Sequence, residues 1–229
     1  MFTRLLHLAR WPSQCLICRA WPAATLCRDC VTRFAAVTTR CASCALPVPP
    51  GVTRCGACLR APPPHDSCLV ATSYCWPWTH CIAQLKFGND PGLARPLAAM
   101  LADAPGVAGA LAAADAVLPM PLTSQRLSER GYNHAQLLAG HLAPRRVRTG
   151  VLLRVRHTPP QRGLPRAQRL KNVRRAFAVD PRHTAALQGR RVALVDDVMT
   201  TGASLREAAL ALRAAGAAHI TAIAFARTD

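Results

Sequence analysis

The sequence predicts an α/β protein with an open, mostly parallel sheet flanked by helices, preceded by a small cysteine-rich module. Residues 192–195 form a continuous apolar run, which is typical of a strand buried on both faces of a parallel sheet. Residues 205–215 follow with the pattern of a helix, and Gly216 provides its stop signal. Four Cys-x-x-Cys pairs near the start of the chain predict the separate module.

The cysteine pairs predict two structural zinc ions. Two cysteines at this spacing place both thiolates on one metal through a tight turn, and two pairs complete a closed tetrahedral site. Closed sites stabilise a fold rather than catalyse, and residues 1–64 hold few large apolar side chains with which to fold otherwise. Disulfides are the alternative to zinc, and the pairs can share metals sequentially or interleaved. The expected ligands are Cys15, Cys18, Cys27, Cys30, Cys41, Cys44, Cys55 and Cys58.

The charge of the chain is strongly positive and unevenly placed. The formal net charge is +18, and Lys86 and Lys171 are the only lysines. Residues 140–191 contain thirteen arginines and one lysine against Asp180 alone, a net of +13. Partners that carry phosphates fit this balance: a phosphoribosyl compound, pyrophosphate or nucleic acid. A general preference for arginine over lysine is the alternative, but it explains the scarcity of acids less well.

Composition also predicts where the protein works and where it divides. The longest apolar stretch, residues 97–120, is broken by charges, proline and glycine, so we expect no membrane span and a cytoplasmic protein. Three consecutive prolines at residues 62–64 mark a boundary between a module of residues 1–64 and a domain of residues 65–229. The remaining cysteines, Cys68, Cys75 and Cys81, are expected to be buried free thiols.

The second domain reads as an alternation of strands and helices. Residues 69–78 are predicted to form a strand that leads into a turn. Further strands are predicted at residues 115–122, 147–155, 177–179 and 219–225, and helices at residues 81–88, 93–102 and 205–215. Prolines end the strand at residues 115–122, so the chain must turn there. Residues 156–173 are basic, proline-containing and too long for an idle connection, which predicts a mobile functional loop.

Asp196 and Asp197 follow the central apolar run, and a small, hydroxylated turn at residues 200–204 follows them. A helix N-terminus after such a turn offers backbone N–H groups to a phosphate. The two carboxylates would repel that phosphate unless they hold a cation or sugar hydroxyls. One pocket therefore suits a ribose 5-phosphate. The alternative is an ordinary strand-to-helix corner, and a Walker loop is excluded because no lysine follows Gly202.

Arg126 and Arg130 precede a further helix, after the strand at residues 115–122. In a doubly wound sheet this loop faces the same edge as the acid pair, and arginine grips pyrophosphate bidentately. A solvated helix face with two exposed arginines is the alternative. The loop at residues 156–173 carries Arg162, Arg166, Arg169 and Lys171 and is expected to close over the site as a lid.

The acid pair and the turn resemble the phosphoribosyl pyrophosphate (PRPP) motif of type I phosphoribosyltransferases. Over the whole chain, the order of motifs resembles the ComF family, in which a double zinc ribbon precedes a phosphoribosyltransferase-like domain and which is linked to DNA uptake and competence. His134 departs from the family pattern, which more often has Gln there. The motifs are the Cys-x-x-Cys pairs, Lys86-Phe87-Gly88, Pro119-Met120-Pro121-Leu122, Arg126, Arg130-Gly131-Tyr132-Asn133, residues 158–164, Arg169, Asn172 and the PRPP motif.

The resemblance implies a type I phosphoribosyltransferase fold that binds PRPP with Mg²⁺, beside two structural zinc ions. It implies catalytic roles for Asp196, Asp197, Arg162 and Arg169. The expected PRPP-binding residues are Asp196, Asp197, Thr200, Thr201, Gly202, Ala203, Ser204, Arg126 and Arg130.

Three functions stay open at this point. The first is phosphoribosyl transfer from PRPP to an acceptor that the sequence does not name. The second is a competence factor that binds single-stranded DNA and other proteins of the competence machinery, with PRPP or a nucleotide as a regulator only. The third is a zinc-ribbon interaction module on an inactive transferase domain.

Overall fold

The computed structural model describes residues 13–156 and 173–228. The chain forms two compact units, Met1–Ala36 and Val37–Asp229. This division differs from the predicted boundary after residue 64, because the second cysteine-rich segment belongs to the larger unit. The boundary after residue 64 stays a prediction about domain organisation.

The element bounds follow the predicted alternation. The strands are β1 (Ser67–Ser73), β2 (Ala116–Pro119), β3 (Leu152–Arg154), β4 (Phe177–Val179), β5 (Arg191–Met199) and β6 (His219–Arg227). The helices are α1 (Arg28–Phe34), α2 (Gly56–Arg60), α3 (Trp78–Phe87), α4 (Ala94–Ala102), α5 (Val107–Ala113), α6 (Ser124–Arg130), α7 (His134–Leu142), α8 (Thr184–Leu187) and α9 (Ala203–Ala214). Short 3-10 turns lie at Pro91–Leu93 and Pro181–His183.

The two cysteine-rich segments repeat one local design. In each, an isolated antiparallel bridge closes a loop around the first Cys-x-x-Cys pair: Ser13 with Ala23, and Arg40 with Pro47. A short helix then carries the fourth cysteine, and the third cysteine caps its N-terminus, at Cys27 for α1 and Cys55 for α2. In each segment, the Cys-x-x-Cys pair in the bridged loop therefore lies beside the Cys-x-x-Cys pair at the start of the short helix.

The main sheet is parallel, in the order β1-β6-β5-β2. The predicted fold class is therefore confirmed. β3 and β4 form a separate antiparallel ribbon, and the strand predicted at residues 147–155 is reduced to β3 and one bridge between Val147 and Val117. β2 ends at Pro119, as its prolines predict. β5 is longer than predicted, because β6 continues the ladder as far as the pair Met199–Arg227.

The two faces of the sheet are covered by different helices. Val192 and Leu194 of β5 share a buried cluster with Leu205 and Leu212 of α9. On the opposite face, α7 packs against β5 and β2, and α4 packs against β1 and β6. Trp78 at the start of α3 is fully buried and meets Phe225 of β6 edge to face, with ring centroids 5.9 Å apart. Burial on both faces explains why β5 is a continuous apolar run.

The three cysteines outside the pairs differ from one another. Cys68 and Cys81 are buried, as expected, but Cys75 is exposed, so the prediction for it was wrong. Cys75 lies just beyond β1, in the turn that leads into α3, where no helix covers the chain.

Among the described residues, no single helix has both the length and the apolar character needed to cross a membrane. The segments Pro91–Ala102 and Val107–Ala113, bent by 95° relative to each other, satisfy the length and composition test only when taken together.

Trp78 and Trp76 provide a matched test of the core. Replacing Trp78 by Ala removes a fully buried ring and its contact with Phe225, so the free energy of unfolding should fall by about 3–5 kcal/mol. Trp76 is 62% exposed, and its replacement by Ala should cost less than about 1 kcal/mol. Urea unfolding followed by circular dichroism measures both values, and equal losses would contradict this packing.

Candidate functional site

The thiols form two separate four-membered groups. Cys15, Cys18, Cys27 and Cys30 lie together, as do Cys41, Cys44, Cys55 and Cys58, with all ligand atoms of a group within 4.8 Å of one another. The first pair therefore joins the second and the third joins the fourth. The sequence left sequential and interleaved sharing open, and the structure has the sequential arrangement.

The spacing of the sulfur atoms suits zinc. A tetrahedral site with Zn–S bonds of about 2.3 Å has sulfur atoms about 3.8 Å apart. The sulfur atoms of Cys18 and Cys27 are 3.7 Å apart, those of Cys15 and Cys30 are 3.9 Å apart, and those of Cys44 and Cys55 are 3.6 Å apart. These distances exceed the roughly 2 Å of a disulfide bond, so the disulfide alternative does not describe these pairs. Both groups fit a structural zinc ion.

Backbone N–H groups help to form the thiolates. Although burial acts in the opposite direction, backbone N–H groups lower the pKa of Cys15 to about 6 and that of Cys41 to about 7. Burial and the neighbouring thiols raise the pKa values of Cys30 and Cys58. Burial and mutual repulsion thus disfavour four thiolates in one group. A divalent metal ion supplies the positive charge that compensates them.

The acid pair lies within β5, with the two side chains on opposite faces of the sheet. Successive residues of a strand alternate between faces. Asp196 shares the face of Leu194, towards α9, and Asp197 shares the face of Val195, towards α3 and α7. Both stand near the carboxyl end of the strand, the edge at which open α/β sheets bind ligands.

Asp197 is buried and paired. One of its oxygens, Oδ1, lies 2.8 Å from Nζ of Lys86 in α3, and Oδ2 lies 3.5 Å from Nδ1 of His134 in α7. Burial lowers the pKa of His134 to about 4, although Asp197 acts in the opposite direction, so the imidazole is neutral near pH 7. Lys86 therefore provides the compensating charge for Asp197.

Asp196 is only partly buried and faces different neighbours. Its Oδ1 accepts a hydrogen bond from the backbone N–H of Asp197, 2.9 Å away. Burial, followed by the Asp197 carboxylate, raises the pKa of Asp196 to about 7, while Lys86 and Arg154 act against this rise. The guanidinium of Arg154 is near enough to both Arg126 and Asp196 for each to change its pKa, which burial lowers. Two arginines and one carboxylate thus meet on this side.

The turn after β5 has the backbone that an anion requires. Gly202 has φ of +75°, a left-handed conformation that favours glycine, and a Cβ there would also displace the flexible end of Met199, whose Cε would lie 2.6 Å away. Thr201 Oγ1 accepts the N–H of Ala203 at 3.3 Å. Within residues 13–156 and 173–228, no acceptor meets the backbone N–H groups of Thr201, Gly202 and Ser204. These donors are available to a phosphate.

The loop after β2 leads into α6 at the same edge. The N–H of Met120 donates to the carbonyl of Val195 at 2.8 Å, so this loop leaves the sheet beside the acid pair. Thr123 caps α6 by accepting the N–H of Arg126 at 3.3 Å, and Arg130 lies over the ring of Phe87, 5.1 Å from its centroid. Asn133 caps α7 and donates from Nδ2 to the carbonyl of Met120 at 2.9 Å. The loop is therefore anchored at both ends.

The structure brings most of the predicted site residues to one edge of the sheet. Asp196, Asp197, the turn and the loop that carries Arg126 and Arg130 lie at the carboxyl ends of β5 and β2. The predicted lid residues lie outside the described residues, namely Arg162, Arg166, Arg169 and Lys171.

The sequence did not predict a role at the site for three residues that the structure places there: Lys86, His134 and Arg154. Two of them left a signal. Lys86 is one of only two lysines in a chain with 29 basic residues, and Arg154 interrupts the apolar residues of a predicted strand. Neither signal names a partner, because the partners come from distant parts of the chain.

Comparison with known proteins agrees with this geometry. The family model of the phosphoribosyl transferase domain matches residues 128–228, which span the end of α6, β5, the turn and β6. Competence protein F of Haemophilus influenzae is 36% identical over 171 residues, which make up 71% of this chain and 73% of that protein. The chain belongs to the ComF family. DNA utilization protein YhgH of Escherichia coli K12 is 31% identical over 172 residues, 72% of this chain and 74% of the relative.

The metal centres of this ComF protein can be tested by metal analysis. We expect two zinc ions per chain by mass spectrometry of the purified protein and no disulfide among the eight clustered cysteines. Cys58→Ser should reduce the zinc content to one, because it removes a buried ligand of the second group. Cys75→Ser is the matched control, since Cys75 is exposed and belongs to neither group, and it should retain two. A metal-free chain with paired sulfurs would refute the assignment.

Proposed function

We propose that this protein binds PRPP with Mg²⁺ at the carboxyl edge of β5 and β2 and transfers the phosphoribosyl group during DNA uptake. One observation carries the proposal: the acid pair is followed within a few residues by a glycine-dependent turn in which, among the described residues, several N–H groups have no protein acceptor. The family match over residues 128–228 supports the same ligand class.

The roles follow from the charges at the site. The N–H groups of the turn take the 5-phosphate, with the hydroxyls of Thr200, Thr201 and Ser204. The carboxylates of Asp196 and Asp197 take the ribose 2- and 3-hydroxyls. Lys86 compensates Asp197 while the sugar is absent, so that the buried carboxylate never stands alone.

The donor set also fits Mg²⁺. Carboxylate oxygens are the ligands that this hard cation takes from proteins, usually one or two together with substrate oxygens and water. Oδ1 of Asp197 is held by Lys86, so Asp196 and the other oxygen of Asp197 are the groups that would hold the ion. When bound, Mg²⁺ would neutralise charge on the pyrophosphate.

The transfer breaks the bond between the anomeric carbon and the pyrophosphate oxygen and forms one from the same carbon to the acceptor. The pyrophosphate leaves with the bonding electrons, and the transition state resembles an oxocarbenium ion. Arg126 and Arg130 stabilise the developing negative charge, and Arg154, whose guanidinium is close enough to Arg126 and Asp196 to interact with both, stabilises it as well. Arg162 and Arg169, in the proposed lid, would add further positive charge to stabilise the leaving pyrophosphate.

The biological setting is proposed from the relatives. One relative is named a competence protein and others are named DNA utilization proteins. We infer a cytoplasmic role in the handling of incoming DNA during natural transformation, together with other proteins of the competence machinery.

PRPP binding tests the proposal directly. Isothermal titration with PRPP and Mg²⁺ should show binding that the double variant Asp196→Asn, Asp197→Asn weakens by about 100-fold or more, because charge-assisted hydrogen bonds to the ribose are removed. Asp103→Asn is the control for the substitution itself, since Asp103 is exposed at the end of α4 and its replacement removes one carboxylate charge elsewhere. Equal affinities of the double variant and the wild type would end the proposal.

Single-stranded DNA is a second candidate ligand, and a specific feature favours it. A cavity of about 640 Å³ lies beside the start of β2, with Leu118 and Leu187 in its lining together with the basic residues Arg148, Arg190 and His183 and the acidic Asp115. Most arginines of the basic block are exposed, and two of them, Arg148 and Arg190, line this cavity. The exposed ones in the described part of the chain are Arg145, Arg146, Arg148, Arg156, Arg174, Arg175, Arg182, Arg190 and Arg191.

Salt dependence separates DNA binding from PRPP binding. The affinity for a fluorescent oligo-dT should fall steeply with salt, and the double variant Arg148→Ala, Arg190→Ala should reduce the log–log slope by about 0.7 for each phosphate that it no longer neutralises. Arg95→Ala is the control, because Arg95 is exposed on α4 outside the basic block. An unchanged slope in the double variant, measured by fluorescence anisotropy, would exclude this surface.

A further inference from the structure

Arg227, the last residue of β6, joins the second cysteine cluster to the turn that follows β5. Its side chain is buried, with 5% of the residue exposed. Nε donates to the carbonyl of Cys44 at 3.0 Å, and Nη1 donates to the carbonyls of Met199, at 3.3 Å, and Thr200. One rigid guanidinium therefore binds both a metal-ligand residue and the proposed phosphate-binding turn.

The metal side of this link is firmly docked. Four consecutive carbonyls of the loop between Cys41 and Leu46 accept hydrogen bonds, three of them from residues outside the cysteine-rich segment and one from Arg40 within it. The donors to Ala42, Ser43, Cys44 and Ala45 are, in order, the N–H of Cys68 at 2.8 Å, Nε2 of His65 at 2.7 Å, Nε of Arg227 at 3.0 Å and Nη1 of Arg40 at 2.9 Å. A metal that holds Cys41 and Cys44 thus fixes a row of acceptors against β1 and β6.

The turn side of the link controls an N–H group. In a trans peptide, the carbonyl of one residue and the N–H of the next share a plane and point in opposite directions. Because Arg227 binds the carbonyl of Thr200, it turns the N–H of Thr201 away from the guanidinium. That N–H is one of the donors assigned to the phosphate in the proposed function.

Removal of either end has a physical consequence. A buried guanidinium that loses an acceptor retains its desolvation penalty, so it shifts towards other partners. If the loop at Cys44 loosens, the side chain of Arg227 follows it, and the carbonyl of Thr200 loses its fixed donor. Lysine cannot replace this link, because one ammonium does not span acceptors that the planar fork reaches from separate nitrogens.

We propose that Arg227 is a positioning residue through which metal in the second cysteine cluster orders the phosphate-binding turn. The second cluster is then part of the ligand site, and the first cluster is not required for it. This inference builds on the proposed PRPP site, but the order of the turn can be measured without any ligand.

Hydrogen exchange of Arg227→Lys tests the link. The variant keeps the charge and should keep two zinc ions. Two amides are protected by bonds to the turn: Ala203, whose N–H donates to Thr201 Oγ1, and Arg206, whose N–H donates to the Gly202 carbonyl. Their exchange should rise about tenfold, whereas β1 should exchange as in the wild type. Affinity for PRPP should fall about tenfold, as expected for loss of a hydrogen bond that involves a charged group. A general loss of stability would instead raise exchange in β1 as well, and unchanged exchange at the turn would overturn the proposal.

The metal arm compares the two clusters. Cys58→Ser should increase exchange of the Ala203 and Arg206 amides, and Cys30→Ser, the equivalent change in the first cluster, should leave it unchanged. Equal effects of the two variants would overturn the link, and the result for Arg227→Lys decides the matter if Cys58→Ser does not fold. Wild-type protein that fails to bind PRPP would refute the proposed function, while the exchange data would still decide this inference.

Discussion

Two adjacent carboxylates near the end of a doubly buried strand need compensation from both sides of the sheet. Asp197 obtains it from Lys86 on the face of α3 and α7, where a full ion pair forms at 2.8 Å. Asp196 obtains much less, and burial together with the neighbouring Asp197 carboxylate raises its pKa to about 7. The asymmetry leaves Asp197 compensated by a full ion pair and Asp196 with a raised pKa, and a perturbed pKa at the edge of a sheet makes a carboxyl group a candidate for ligand binding.

The same edge gathers groups of opposite character. Amide donors of the turn and the guanidinium groups of Arg126 and Arg154 suit a ligand with negative charge, while carboxylates suit hydroxyls or a cation. A sugar phosphate combines both requirements in one molecule. The sheet brings them together because β2 and β5 are parallel neighbours, so the loops after both strands leave from one edge.

The cysteine clusters have different relations to this edge. The first belongs to the smaller compact unit, and the second belongs to the larger one with the parallel sheet. Hydrogen bonds from Arg40, His65, Cys68 and Arg227 hold the loop of the second cluster against β1 and β6. The sequence of residues 1–64 suggests one module with two similar halves, but these halves belong to two different compact units.

The sequence by itself determined the features that depend on local order. The parallel sheet follows from apolar runs alternating with helical periods, the thiol ligands follow from Cys-x-x-Cys spacing, and the turn at Gly202 follows from small residues before a helix. Each signal lies within a short stretch, so neighbouring residues suffice to identify it.

Only the tertiary structure decided which distant groups meet. The pairing of Lys86 with Asp197, the approach of Arg154 to Asp196 and the hydrogen bond from Arg227 to Cys44 join residues far apart in the chain. Local pattern carries no record of such pairings, since they arise when buried charges and carbonyls find partners during packing. For the same reason the sharing of the cysteine pairs, and the extension of β5 through its acids, appeared only in the fold.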